Sequence, residues 1–237
     1  MTTKRPKAQR ERLSGTAENY LSSIYKLEEW GVTPAAAQLA EYIRQLPKEE
    51  GLGTTLPSVL GMLRRMAREG LVEISSQKQI HLTRTGRALA ETTIRRHRLA
   101  ERMVVDLFGM ELHLACIEGH RLEHAISPKL EELIWERLGK PTTCPFGGPI
   151  PGSAYQPPAG GTLSLAEART QRTYVVDRIA EEDPILLRYL VGCGVLPDAD
   201  LTVVDAGHYR GVLTFRTEAG EGAVGYEAAS RVRLRRP

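Results

Sequence analysis

Cysteine is scarce in this sequence. Only Cys116, Cys144 and Cys193 occur among its 237 residues. An odd number at wide spacing argues against a disulfide framework and for a reducing compartment. Long apolar runs are also lacking: nothing approaches the roughly 20 residues a membrane-crossing helix needs. The basic opening MTTKRPKAQRERLSG has no apolar segment behind it, so it does not read as a secretory signal. It reads as an arm of low hydrophobicity or as an arm touching nucleic acid phosphates. A cytoplasmic location is expected. A strong excess of one charge is missing as well, because the formal net charge of +3 is too small to define a partner. There is no internal repeat and no low-complexity tract. The length is enough for one large domain or two small ones.

What is present is an ordered series of helices followed by strands. In TAENYLSSIYKLEEW, Ala17, Tyr20, Leu21, Ile24 and Leu27 share one helical face, and Gly31 ends that helix. Thr33 is expected to cap a second helix, with Pro34 in its first turn. A third begins near Thr55 and Pro57, carries the stripe Val59, Leu63 and Met66, and ends at Gly70. The extended runs LVEI and IHL, joined by the polar Ser75–Gln79, predict a hairpin. Three helices and a hairpin in this order make a winged helix-turn-helix. A long helix is predicted from about Thr85 to Phe108, then helices over 112–126 and 128–138, divided by Ser127 and Pro128. The Pro- and Gly-dense stretch 140–161 reads as a linker. TYVVDRI, ADLTVVD, GVLTFRT and GAVGY then read as strands and DPILLRYLVGCG as a helix, giving a small β-barrel with one helix.

Two places carry chemistry. On the third predicted helix, Arg64, Arg65 and Arg68 lie away from the apolar stripe, Lys78 sits at the hairpin tip, and Arg84 and Arg87 follow it. A helix that buries one face and presents guanidinium groups on the other is suited to a major groove, with phosphate contacts supplying affinity and base contacts specificity. The other place is CIEGHRLEH. At 3.6 residues per turn, Cys116, His120, Glu123 and His124 fall within an arc of about 100° on one helix. His97 and Glu101, four apart, share a face of the preceding helix. Imidazole and carboxylate suit divalent Mn, Fe, Co and Zn, and a thiolate pulls toward softer ions. The segment also spells H-x-x-E-H, a zinc-peptidase signature in which His120 and His124 would bind zinc and Glu123 would act as base.

The residues AENYLSSIYKLEEWGVTP, LTRTGRALA, RRHRLAERMVVDLFG, RLEHAISP and PTTCPFGGPIPG resemble the diphtheria-toxin-repressor family of iron- and manganese-dependent bacterial regulators. The resemblance runs over 16–237. It implies a mainly α chain with a small β part: a winged helix-turn-helix DNA-binding domain (1–84), a helical dimerisation and metal-binding domain (85–139), the linker (140–161) and a flexible SH3-like, FeoA-like barrel (162–237). It further implies a primary metal site at Asn19, His120, Glu123 and His124, and an ancillary one at His97, Glu101, Cys116 and Glu181. Asn19 stands where the family mostly has Met or Asp, and His120 where it has Cys or Glu. With only N and O donors, the primary set favours Fe(II) or Mn(II) over a soft metal without excluding Zn, and the two implied sites give two ions per chain. Arg65, Arg68 and Lys78 match phosphate-contacting positions, and Thr55, Pro57 and Ser58 match the start of the reading helix. Leu60 and Gly61 replace the polar pair that usually reads bases, and QLPKEEGLG is longer than its counterparts. The implied function is repression of metal-homeostasis genes by a homodimer on palindromic operator DNA. The alternatives are a metal-independent DNA-binding regulator with degenerate sites and, more remotely, the zinc peptidase.

Overall fold

A computed structural model describes residues 13–46 and 52–237. The basic arm and most of the long segment before the third helix lie outside the described residues. The chain divides into two compact units, 1–91 and 92–237.

In the first unit, α1 (Gly15–Glu29) starts at Ser14, whose hydroxyl accepts from the Ala17 amide, and ends at Gly31 with φ 79°. The second helix does not start as expected. Residues 33–35 stay outside the helix, because the Pro34 carbonyl accepts from the Ile80 amide and Ala35 bridges Gln79. α2 (Ala36–Gln45) therefore begins at Ala35, where Gln38 Oε1 accepts from the Ala35 amide at 2.9 Å. α3 (Leu56–Arg68) is capped by Thr55 with Pro57 in its first turn, as the sequence indicates. β1 (Val72–Ile74) and β2 (Ile80–Leu82) pair antiparallel as the wing. Tyr20, Leu21, Ile24, Leu39, Ile43, Val59, Leu63, Met66 and Ile80 form one buried core. Each such aliphatic side chain contributes roughly 1.5–3 kcal/mol on burial. That outweighs the cost of about 1 kcal/mol for Gly61 inside α3.

α4 (Arg84–Arg102) runs from the first unit into the second and ends in a π-helical turn (Met103–Leu107), where the sequence reads as plain helix. α5 (Leu112–Glu123) and α6 (Pro128–Arg137) follow, α6 capped by Ser127. The expected linker is in part a packed element. Cys144, Phe146 and Ile150 are buried, Ile179 donates its amide to the Phe146 carbonyl, and Gly147 sits at φ 89°. Three arginines of one α4 face donate to its carbonyls: Arg95 to Pro151, Arg98 to Pro149 and Arg102 to Thr143.

The remaining strands are β3 (Leu163–Ser164), β4 (Arg172–Ile179), β5 (Asp200–Gly207), β6 (Val212–Thr217), β7 (Gly220–Gly225) and β8 (Val232–Arg235). They form one antiparallel sheet in the order β3-β8-β4-β5-β6-β7. α7 (Pro184–Gly192) is capped by Asp183, and a short α8 (Tyr226–Ser230) precedes β8. β4 to β7 match the extended runs expected from the sequence, and the short β3 and β8 close the sheet's far side. Val176, Leu201, Leu213 and Phe215 from the sheet share a core with Ala115 and Cys116 of α5. α5 is thus held from the sheet side as well as from α4.

Candidate metal centre and nucleic-acid interface

The residues expected at a nucleic-acid interface lie on α3 and the wing of the first unit. α3 buries Val59, Leu63 and Met66 and leaves Arg64, Arg65 and Arg68 exposed. Thr55, Pro57 and Ser58 are exposed at its N-terminus, where Thr55 Oγ1 accepts from the Ser58 amide. Arg65 pairs with Glu69 at 2.8 Å; both are exposed, so the pair is weak and exchangeable. Lys78 sits at the wing tip with φ 61°, in a turn closed by its amide on the Ser75 carbonyl. A Cβ on Gly61 would meet nothing within 4 Å. No packing inside the unit therefore demands glycine there.

In the second unit, six ligand-type side chains converge. His97 and Glu101 of α4, Cys116, His120 and Glu123 of α5, and Glu181 between β4 and α7 are all buried. His97 Nδ1 lies 2.7 Å from Glu123 Oε2 and Nε2 lies 2.9 Å from Glu101 Oε1. Nε2 is also 3.9 Å from Cys116 Sγ. His124, partly exposed, reaches Glu123 Oε1 at 3.2 Å, and His120 Nδ1 is 3.8 Å from the same oxygen. Two groups have donor atoms all within 4.8 Å: His97 with Cys116 and His120, and His97 with Glu101 and Glu181. The resemblance divides these residues between two sites, whereas the geometry makes one continuous cluster with His97 common to both groups. Asn19 lies on α1 in the first unit, where it is buried and its carbonyl accepts from Ser23 Oγ at 2.8 Å.

Burial opposes the charge of Glu123, but the imidazoles of His120 and His97 beside it outweigh that and hold its carboxyl well below the usual range. Of the fully buried Glu101 carboxylate, Oε1 lies against the His97 imidazole and Oε2 receives no hydrogen bond. A buried carboxylate in that state is costly unless a cation or donor reaches it. The donor set and this carboxylate fit a bound divalent ion.

Residues that sequence reasoning passed over complete the site. Gly119 lets α5 approach α4 closely: a Cβ there would stand 3.0 Å from Glu101 Cγ and from His97 Cε1. A glycine inside a predicted helix was the available signal. Burial pushes the Cys144 thiol well up, as do the nearby charges of Glu101 and Glu181, while Arg98 and Arg178 oppose them. No local pattern marks these two arginines. On the sheet side, Arg188 of α7 meets His113 Nε2 of α5 at 2.8 Å.

Three family models match the chain: the iron dependent repressor N-terminal DNA-binding domain over 12–80, the iron dependent repressor metal-binding and dimerisation domain over 83–152, and the FeoA domain over 163–236. The iron-dependent repressor IdeR of Mycobacterium leprae is 37% identical over 204 residues, covering 81% of this chain and 84% of that protein. The chain belongs to the iron-dependent repressor family. The diphtheria toxin repressor of Corynebacterium diphtheriae is 40% identical over 140 residues, 59% of this chain and 58% of that one. A manganese-dependent transcriptional repressor solved with manganese superimposes with a TM-score of 0.81 at 30% identity, covering 93% of this chain and all of that one. The family is one of metal-dependent, DNA-binding transcriptional repressors and not of enzymes, so H-x-x-E-H here is no peptidase motif. The six-stranded C-terminal sheet is its FeoA, SH3-like part. Among the described residues, no helix is long and apolar enough to cross a membrane.

Proposed function

We propose that this chain is a cytoplasmic, homodimeric repressor that takes up Fe(II) or Mn(II), two ions per chain, and in that state binds a palindromic operator at metal-homeostasis genes. The observation that carries the metal part is the buried cluster on α4, α5 and the turn before α7, in which Glu101 keeps one buried carboxylate oxygen without a hydrogen bond. His120, Glu123 and His124 would form the primary set; Asn19 is added as a fourth ligand on the family resemblance alone. His97, Glu101 and Glu181 would form the ancillary set, with Cys116 added on the same resemblance. A bound divalent ion supplies positive charge that offsets the buried carboxylates and ties together side chains of separate elements. Arg64, Arg65, Arg68 and Lys78 would meet phosphates or base edges, and Thr55, Pro57 and Ser58 would place the N-terminus of α3 in the groove. By linkage, metal and operator must strengthen each other's binding equally.

The deciding experiment is operator binding against a series of buffered free Mn(II) and Fe(II) concentrations. Binding should require metal and a dimer, and His124→Ala should weaken it at least about tenfold, or roughly 1.4 kcal/mol. Equal affinity with and without chelator would leave the metal-independent regulator as the better reading.

A further inference from the structure

One grouping in the cluster does not coincide with either ligand set above. His97, Cys116 and His120 are buried and offer two imidazole nitrogens and a sulfur within 4.8 Å of one another. We propose that these three side chains form a distinct site for a borderline-soft divalent ion such as Zn(II) or Co(II), and that its occupation withdraws His97 and His120 from the two regulatory sets. The second clause rests on the function proposed above.

The spacing suits such an ion. Zinc bonds of about 2.0–2.1 Å to nitrogen and about 2.3 Å to sulfur, at a tetrahedral angle, set the two donors about 3.5 Å apart. Cys116 Sγ and His97 Nε2 are 3.9 Å apart, so a shift of a few tenths of an ångström closes the pair. The His97 and His120 rings lie 4.5 Å apart between centroids and are tilted by 58°, not stacked. A thiol touching one imidazole would be an ordinary core contact; a second imidazole within reach of both makes a three-donor set. Its chemistry is soft, one thiolate and two neutral nitrogens, whereas His97 with Glu101 and Glu181 offers two carboxylates.

The two groupings also exclude each other. His97 Nε2 faces both Cys116 Sγ at 3.9 Å and Glu101 Oε1 at 2.9 Å. One nitrogen lone pair serves one ion. A hard ion is drawn to the carboxylate side, and a softer one to the thiolate side, along with His120. Cys116 then serves the soft ion, while Glu101 and Glu181 remain for the hard one. The same imidazole sorts metals by softness, and the wrong metal disarms the sensor by holding two of its ligands.

The test uses the full chain with metals alone. Co(II) should produce a near-ultraviolet thiolate-to-metal charge-transfer band that Cys116→Ser abolishes and Glu101→Gln retains. In wild-type protein, one equivalent of Zn(II) should release bound Mn(II), read as the free-ion electron paramagnetic resonance signal. Cys116→Ser should lower Zn(II) affinity at least about tenfold, and an unchanged far-ultraviolet circular dichroism spectrum shows that the variant is folded. Absence of the Co(II) band, its survival in Cys116→Ser, or Mn(II) that stays bound through saturating Zn(II) would overturn the soft site. Mn(II)-activated operator binding is followed in parallel. Its failure counts against the proposed function, while intact activation with no thiolate band removes only this inference.

Discussion

Gly119 sets the tightest limit on the cluster. Alanine there would gain up to about 1 kcal/mol of helix propensity. Its Cβ, however, would press on Glu101 and His97 at 3.0 Å, and overpacking of this kind costs about 1–3 kcal/mol. The second effect should win. Gly119→Ala is expected to melt lower than wild type and to bind Mn(II) more weakly, as seen in thermal unfolding with and without metal. A variant equal to wild type in both would show that the two side chains yield freely. Most of the cluster is legible in the sequence because His97 with Glu101 and Cys116 with His120 repeat every four residues along helices. Glu181 is only loosely legible, since nothing local ties a residue after β4 to two distant helices. Arg98 and Arg178 are not legible at all: a buried arginine looks like any surface arginine until its partners are placed.

Among the elements, α3 and the wing carry the DNA reading. Replacing Arg65, Arg68 or Lys78 singly with a neutral residue should each reduce the salt slope of operator binding, log K against log salt, by about 1. Arg65 is no exception, because its solvent-screened pair with Glu69 is weak and can be exchanged for a phosphate. Three unchanged slopes would move the interface to another face. The order of three helices and a wing is legible because apolar periodicity is a local property. The start of α2 is not, because the Pro34 carbonyl is claimed by Ile80, a partner 46 residues away. Likewise the π turn that ends α4 breaks no sequence pattern.

Taken whole, the second unit joins sheet and helices through one core that includes Ala115 and Cys116. Glu181 stands within ligand distance of His97 and Glu101. Saturating Mn(II) should therefore slow amide exchange not only in α4 and α5 but also around residues 179–187. Protection confined to the two helices would take Glu181 out of the ligand set. The Pro- and Gly-rich stretch shows the limit of composition: it is rich in turn formers, yet Arg95, Arg98 and Arg102 clasp it against α4 through Pro151, Pro149 and Thr143. That clasp grips carbonyl oxygens, which every residue type carries alike. It reads spacing and is blind to spelling. Over long divergence, the partly exposed Thr143, Pro149 and Pro151 are free to change identity, while Gly147 is held because a Cβ would fall 2.0 Å from the Asp177 carbonyl and Gly148 because one would press on Arg98 Nε at 3.0 Å. A single inserted or deleted residue would instead put every later carbonyl out of step with its arginine.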